Sequence, residues 1–164
     1  TVMALKAAGA APIYVSEMAP KRAALAGEAG ADEVFDPSQC DVVEEVKRRT
    51  GGRGVEVSFE CVGVRAALLD SINATRRRRR IVIEGFFMGD VTLNFFDLFQ
   101  NDLSLIFSLG ADFNTTVPLI AEGKIPSAKI ITSKIGLDDI VTRGVEMLNS
   151  EIKDEVKILV SPDL

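Results

Sequence analysis

The run Ile13-Tyr14-Val15-Ser16-Glu17 reads as a buried strand that ends on an acid, entered from a helix end spanning Val2 to Ala8. A carboxylate closing the second strand of a dinucleotide-binding βαβ unit holds the adenosine ribose. The first strand and its G-x-G-x-x-G turn precede the helix that leads into it. Here the acid is present and the glycine turn is not. The chain therefore reads as the larger part of a nucleotide-binding domain that starts one supersecondary element late.

Further along, short apolar runs alternate with helical patterns, the signature of a parallel sheet with crossover helices. Pro20 to Ala29 reads as a helix with proline in its first turn and Gly30 at its C-terminal cap. Ala31 to Asp36 is a short strand stopped by Pro37. Val42, Val43 and Val46 recur at helical spacing, and Thr50-Gly51-Gly52-Arg53-Gly54 ends that helix. Strands are expected at Val55 to Gly63, Arg80 to Gly85 and Leu103 to Gly110, with helices at Ala66 to Ile72 and Asp112 to Glu122. From Lys124 the pattern changes to extended (Ile130 to Ile135), helical (Leu137 to Leu148) and extended again (Val156 to Val160), a separate substructure. The fold class is α/β, a doubly wound parallel sheet incomplete at its N-terminus.

With 164 residues and 47% hydrophobic content the chain can bury one sizeable core. A net charge of -5 argues against nucleic acid as a partner. No apolar stretch reaches the roughly 18 residues of a membrane span, and no signal segment opens the chain, so a soluble, cytoplasmic protein is expected. Cys40 and Cys61 suggest no disulfide framework. The absence of histidine excludes a histidine-ligated zinc site or a histidine-based triad within this chain.

The succession Leu5-Lys6-Ala7-Ala8-Gly9-Ala10, Val15-Ser16-Glu17, Ala29-Gly30-Ala31-Asp32-Glu33-Val34, Thr50-Gly51-Gly52-Arg53-Gly54-Val55, Phe59-Glu60-Cys61-Val62-Gly63, Ser108-Leu109-Gly110 and Ile131-Thr132-Ser133-Lys134-Ile135 resembles the medium-chain zinc alcohol dehydrogenases, especially the butanediol and sorbitol branch. The resemblance covers essentially the whole chain. It implies a Rossmann-like coenzyme domain over residues 1–122 and, over 123–164, a segment returning to a zinc-bearing catalytic domain. It further implies an NAD-dependent oxidoreductase acting on a small alcohol or polyol. Such an enzyme polarises the alcohol on zinc and passes hydride to nicotinamide; no zinc ligands are expected in this chain.

Glu17 is the leading cofactor residue, since a carboxylate there accepts both ribose hydroxyls and repels a 2′-phosphate, implying NAD and not NADP. Its alternative is an acid capping the following helix. By resemblance Arg22 stands beside the ribose; otherwise it is a solvated helix charge. Cys61, Val62 and Gly63 close a strand where ligands of open α/β sheets sit, and relatives line the cofactor groove there; Cys61 alternatively is a small buried hydrophobe. Gly85 and Phe86, with Ser108, Leu109 and Gly110, end two more strands, where backbone groups of relatives hold the nicotinamide carboxamide.

Two departures from the family stand out. Arg76 to Arg80 replace a Pro-Gly-Gly turn and read either as a solvated loop or as a basic patch for polyanions. Phe107 stands where relatives often have glycine, and its ring could crowd the cofactor. The absent glycine turn, which binds pyrophosphate, leads us to expect weak or no NAD binding by the isolated chain. The strand from Leu103 to Leu109 is, by resemblance, a homo-oligomer contact. A non-catalytic assembly module is therefore the alternative to an enzyme fragment.

Overall fold

The computed structural model describes residues 1–110, 112–150 and 155–164. Its elements in chain order are α1 (Val2–Ala7), β1 (Tyr14–Ser16), α2 (Pro20–Glu28), β2 (Glu33–Phe35), α3 (Val42–Arg49), β3 (Val55–Glu60), α4 (Arg65–Ala74), β4 (Thr75–Ile83), α5 (Phe95–Asn101), β5 (Ser104–Phe107), α6 (Phe113–Ala121), β6 (Ser133–Gly136), α7 (Glu146–Asn149) and β7 (Ile158–Ser161). The chain is α/β, and every strand pair is parallel. The expected parallel ladder is divided: β1 pairs only with β2, and β3-β4-β5 form a second sheet. Among the described residues no strand pairs with the free edge of β1 or of β3. Two compact units result, one of Thr1–Ser38 with Asp112–Leu164 and one of Gln39–Ala111.

In the first unit, α2 begins on Pro20, whose missing N–H costs nothing in a first turn. Gly30 follows the helix at φ 108°. Asp32 accepts the Ile13 amide at 2.8 Å and donates its own amide to the Ile13 carbonyl, tying the start of β1 to that of β2. Ile13 and Phe35 are buried, and the Tyr14 and Phe35 rings lie 6.0 Å apart. The tail is less regular than its pattern suggests. A 3₁₀ turn at Ser127–Ile130 precedes β6, and the helical stretch is 3₁₀ at Leu137–Asp139, π-helical at Ile140–Val145 and α-helical only in α7. β6 pairs with β7, Ser133 beside Ile158.

The second unit is built on the β3-β4-β5 ladder, where Ser58 lies beside Ile81, Glu60 beside Ile83, and Ile81 and Ile83 beside Leu105 and Phe107. Leu68 and Ile72 of α4, Ile81 and Ile83 of β4, and Leu98 of α5 form one buried cluster. Ser58 and Glu60 are buried as well, at 9% and 1% exposure. Ser58 is satisfied by the Thr75 hydroxyl at 2.6 Å, and Thr75 donates to the Ser71 carbonyl.

The arginine run is no loop. Extended chain starts at Thr75, and the run forms a bulge: Thr75 pairs with Val55 but Arg80 with Val57. Arg78 adopts φ 62°, a left-handed conformation that favours glycine. Arg76 and Arg79 both pair with Glu56, and the two guanidiniums, Arg79 first, hold its carboxyl below the usual range. Arg78 meets Asp102 at 3.3 Å. Helix α5 is not among the elements expected from the sequence. Asn94 caps it by accepting the Phe96 amide, and Asp102 ends it in the left-handed region.

Asp70 of α4 is half-buried, and desolvation together with the nearby Asp41 carboxylate pushes its pKa up. A carboxyl with a raised folded pKa binds its proton more tightly folded than unfolded, so its charge opposes folding above that pKa and not below it. Asp70→Asn is therefore expected to raise the urea midpoint at pH 7, and the gain should shrink as the pH is lowered through the carboxyl range. An equal gain at both ends of the titration would contradict this account.

Candidate functional site

Parallel strands leave their carboxyl ends on one side, where crossover turns meet. In the second unit three such ends come together. The Glu60 carbonyl accepts the amides of Glu84 and Gly85 at 2.8 and 2.9 Å, and the Ile83 carbonyl accepts the Ser108 amide at 2.9 Å. Cys61, Val62 and Gly63 thus lie beside Gly85 and Phe86, and Ser108 is bound to the end of β4. Leu109 and Gly110 continue from Ser108, Leu109 at 84% exposure.

Two glycines make this convergence possible. Gly63 sits at φ 82°, and a Cβ there would lie 2.2 Å from the Phe86 carbonyl oxygen. A Cβ on Gly85 would lie 2.3 Å from the Gly63 nitrogen and 2.4 Å from Glu60 Oε2. The two turns are in backbone contact, and neither tolerates a side chain. Val62 and Phe86, adjoining the glycines, are 64% and 71% exposed.

The expected alternative for Cys61, a buried hydrophobe, does not hold. Cys61 is exposed, with Sγ 3.3 Å from Glu84 Oε2. Phe107 is 79% exposed and lines an apolar cavity of about 220 Å³ with Leu68, Ile83, Phe87 and Leu93. Glu60 was missed. Its Oε1 accepts the amides of Val62 and Gly63 at 3.0 and 2.8 Å, while Oε2 is buried without a partner among the described residues. The sequence signal was a carboxylate as the last residue of an alternating strand.

Glu17 and Arg22 belong to the other unit. The Glu17 amide donates to the Phe35 carbonyl at 2.9 Å, continuing the β1-β2 ladder, and Glu17 Oε1 accepts the Ala19 amide at 2.8 Å just before α2. The helix-capping alternative thus takes one carboxylate oxygen. Arg22, on α2, is half-buried, and no ion pair or hydrogen bond of its side chain occurs among the described residues.

Residues 1–122 match the family described as zinc-binding dehydrogenases. The chain belongs to that family. It is 37% identical over 163 residues to (R,R)-butanediol dehydrogenase of Neisseria gonorrhoeae, a match covering 98% of this chain and 46% of the relative. A crystal structure of 2R,3R-butanediol dehydrogenase from Bacillus subtilis superposes with a TM-score of 0.88 at 37% identity, over 98% of this chain and 46% of that one. A protein of Sinorhizobium meliloti 1021, assigned as a zinc-binding dehydrogenase and solved bound to NADP, gives 0.87 at 30% identity, over 99% and 48%. The chain thus spans about half the length of the relatives it matches. The family's zinc does not fit here: among the described residues no group of three or more His, Cys, Asp or Glu could hold a metal ion. Nor is any described helix long and apolar enough to cross a membrane.

The close approach of the two turns gives a direct test. Gly63→Ala must relieve both a left-handed φ and a backbone overlap, so a loss of at least about 2 kcal/mol is expected in urea unfolding. A loss below about 0.5 kcal/mol would mean that the turns are not packed as described.

Proposed function

We propose that this chain is the coenzyme-binding portion of an NAD-dependent alcohol or polyol dehydrogenase, with residues 1–122 as the coenzyme domain and 123–164 as a segment of the catalytic domain. The carrying observation is the convergence of Cys61, Val62 and Gly63 with Gly85 and Phe86 at the carboxyl ends of β3 and β4, in a chain of this family. The family match ending at residue 122 supports the division. The butanediol dehydrogenases among its relatives point to a small secondary alcohol or diol as substrate.

Each named residue then has a chemical task. Glu17, with Oε1 fixed by the Ala19 amide, presents Oε2 to the ribose hydroxyls, and Arg22 stands in the first turn of α2 as a neighbouring cation. The exposed turn at 61–63 and the backbone at Gly85, Phe86, Ser108, Leu109 and Gly110 offer the remaining contacts. Bound NAD would accept the hydride released by the alcohol. In each unit the named residues would bind and orient it, and the alcohol-activating chemistry belongs to the rest of the full-length protein.

The S. meliloti relative is bound to NADP, so cofactor choice is a point to test. In the full-length protein NAD is expected to bind more tightly than NADP. Glu17→Ala should weaken NAD on the order of tenfold through lost charge-assisted hydrogen bonds, while NADP binds more tightly because the charge opposing its 2′-phosphate is removed. Calorimetry showing NADP preferred by the unaltered protein would reverse the assignment.

A second reading concerns assembly. β5 is an edge strand with no partner beyond β4 among the described residues, and Ile106, Phe107 and Leu109 are 43%, 79% and 84% exposed. Such an edge invites pairing with a second copy through Leu103 to Leu109. Light scattering is expected to find a dimer or larger assembly, and Ile106→Lys to shift it toward monomer. A monomeric unaltered protein would end this reading.

A further inference from the structure

We propose that Glu60 is a positioning residue for the cofactor-binding turns, an inference that rests on the NAD-binding reading above. Glu60 is the last residue of β3, with only 1% of its surface exposed, and no role was assigned to it from the sequence. Its Oε1 gathers two successive backbone amides, Val62 and Gly63 at 3.0 and 2.8 Å, and so fixes the chain as it leaves the strand. Charge-assisted bonds of this kind are about twice as strong as neutral ones, and converging on one oxygen they determine the orientation of the whole turn.

The second oxygen links that turn to the next. Glu60 Oε2 and the Gly63 nitrogen lie 2.4 and 2.3 Å from where a Cβ on Gly85 would stand, so carboxylate and turn together fill the space of the side chain that position 85 lacks. The Glu60 carbonyl meanwhile accepts the Glu84 and Gly85 amides. One residue therefore sets the path of Val62 and Gly63 through its side chain and the path of Glu84 and Gly85 through its backbone.

Oε2 is the single buried side-chain oxygen or nitrogen among the described residues without a hydrogen-bond partner. Buried orphans of this sort are uncommon in proteins and call for a reason. A turn needing only to be closed could use a serine or asparagine side chain with no orphan oxygen. Glutamate has the reach to grip the amides from inside the sheet, below the surface that a cofactor would touch. Glu60 itself does not face that surface; it acts through the backbone of Val62, Gly63 and Gly85.

The test uses the full-length protein as wild type, Glu60→Gln and Glu60→Leu, with NAD affinity by calorimetry well below each melting temperature and amide exchange at Val62 and Gly63. Gln retains an acceptor and should keep wild-type affinity and slow exchange. Leu fills the buried space with no acceptor. It should leave the melting temperature near that of the wild type, speed exchange of both amides, and weaken NAD on the order of tenfold. A folded Leu variant that binds NAD as the wild type does overturns the inference, as does affinity that merely tracks melting temperature across the variants. If Leu fails to fold, Glu60→Asp, which withdraws the carboxylate by one methylene, must show the same loss, and unchanged affinity overturns the proposal. A wild type that does not bind NAD overturns the NAD reading and this inference with it. Binding by the wild type with no effect of substitution overturns this inference alone.

Discussion

The register of the β3-β4-β5 ladder governs the second unit. It sets Ser58 beside Ile81 and Glu60 beside Ile83, so two polar and two apolar side chains share one face under α4 and α5. A parallel sheet is covered by its crossover helices, so the polar pair had to be satisfied from within. The Ser71 carbonyl and Thr75 hydroxyl do this for Ser58, and the turn amides do it for one oxygen of Glu60. A slip of one residue between β3 and β4 would move the polar pair to the face opposite the isoleucines. The same register fixes which backbone groups emerge at the carboxyl ends, and hence the shape of the candidate site.

The arginine run has a physical explanation in that ladder. Side chains alternate along a strand, so in a regular β4 Arg77 and Arg79 would follow Ile81 and Ile83 onto the buried face. Burying two guanidiniums without full pairing would cost several kcal/mol each. The bulge removes four residues from register before pairing resumes at Arg80, and none of the five arginines is buried. Glu56, the β3 residue opposite the bulge, binds Arg76 and Arg79 and offsets their mutual repulsion. These pairs are exposed and contribute little to stability. Their effect is to give the extruded chain a defined course, at the amino end of the strand and away from the turns at its carboxyl end.

Local chemistry explains what could be read from sequence and what could not. Pro20 and Gly30 marked both ends of α2, and the apolar runs located the strands within one or two residues at most ends. Helix α5 was not expected, because although Phe95, Leu98 and Phe99 stand at helical spacing, its seven residues are too few for an apolar face to repeat. In β3 the alternation of Val55, Val57 and Phe59 with Glu56, Ser58 and Glu60 suggests a wet polar face. The face carrying Ser58 and Glu60 is instead the more deeply buried, because the isoleucines that share it come from β4, 20 or more residues later in the sequence. Among the candidate site residues, the strand ends were legible because they follow from topology. Glu60 was not, since its role depends on the closeness of Gly63 to Gly85, which no spacing along the chain encodes.

The two readings of Glu17 turn out not to compete. A carboxylate has two oxygens, and capping the approach to α2 through the Ala19 amide engages one of them. That bond also orients the group, so an adenosine ribose would meet an acceptor already held in place and lose less on binding than it would with a free side chain. The same fixed negative charge would stand against a 2′-phosphate, with Arg22 on the adjoining turn as the cation able to soften that repulsion. In the proposed function, cofactor choice is then a balance between one anchored acid and one neighbouring cation, decided at the end of β1 and not by the fold that this chain shares with its relatives.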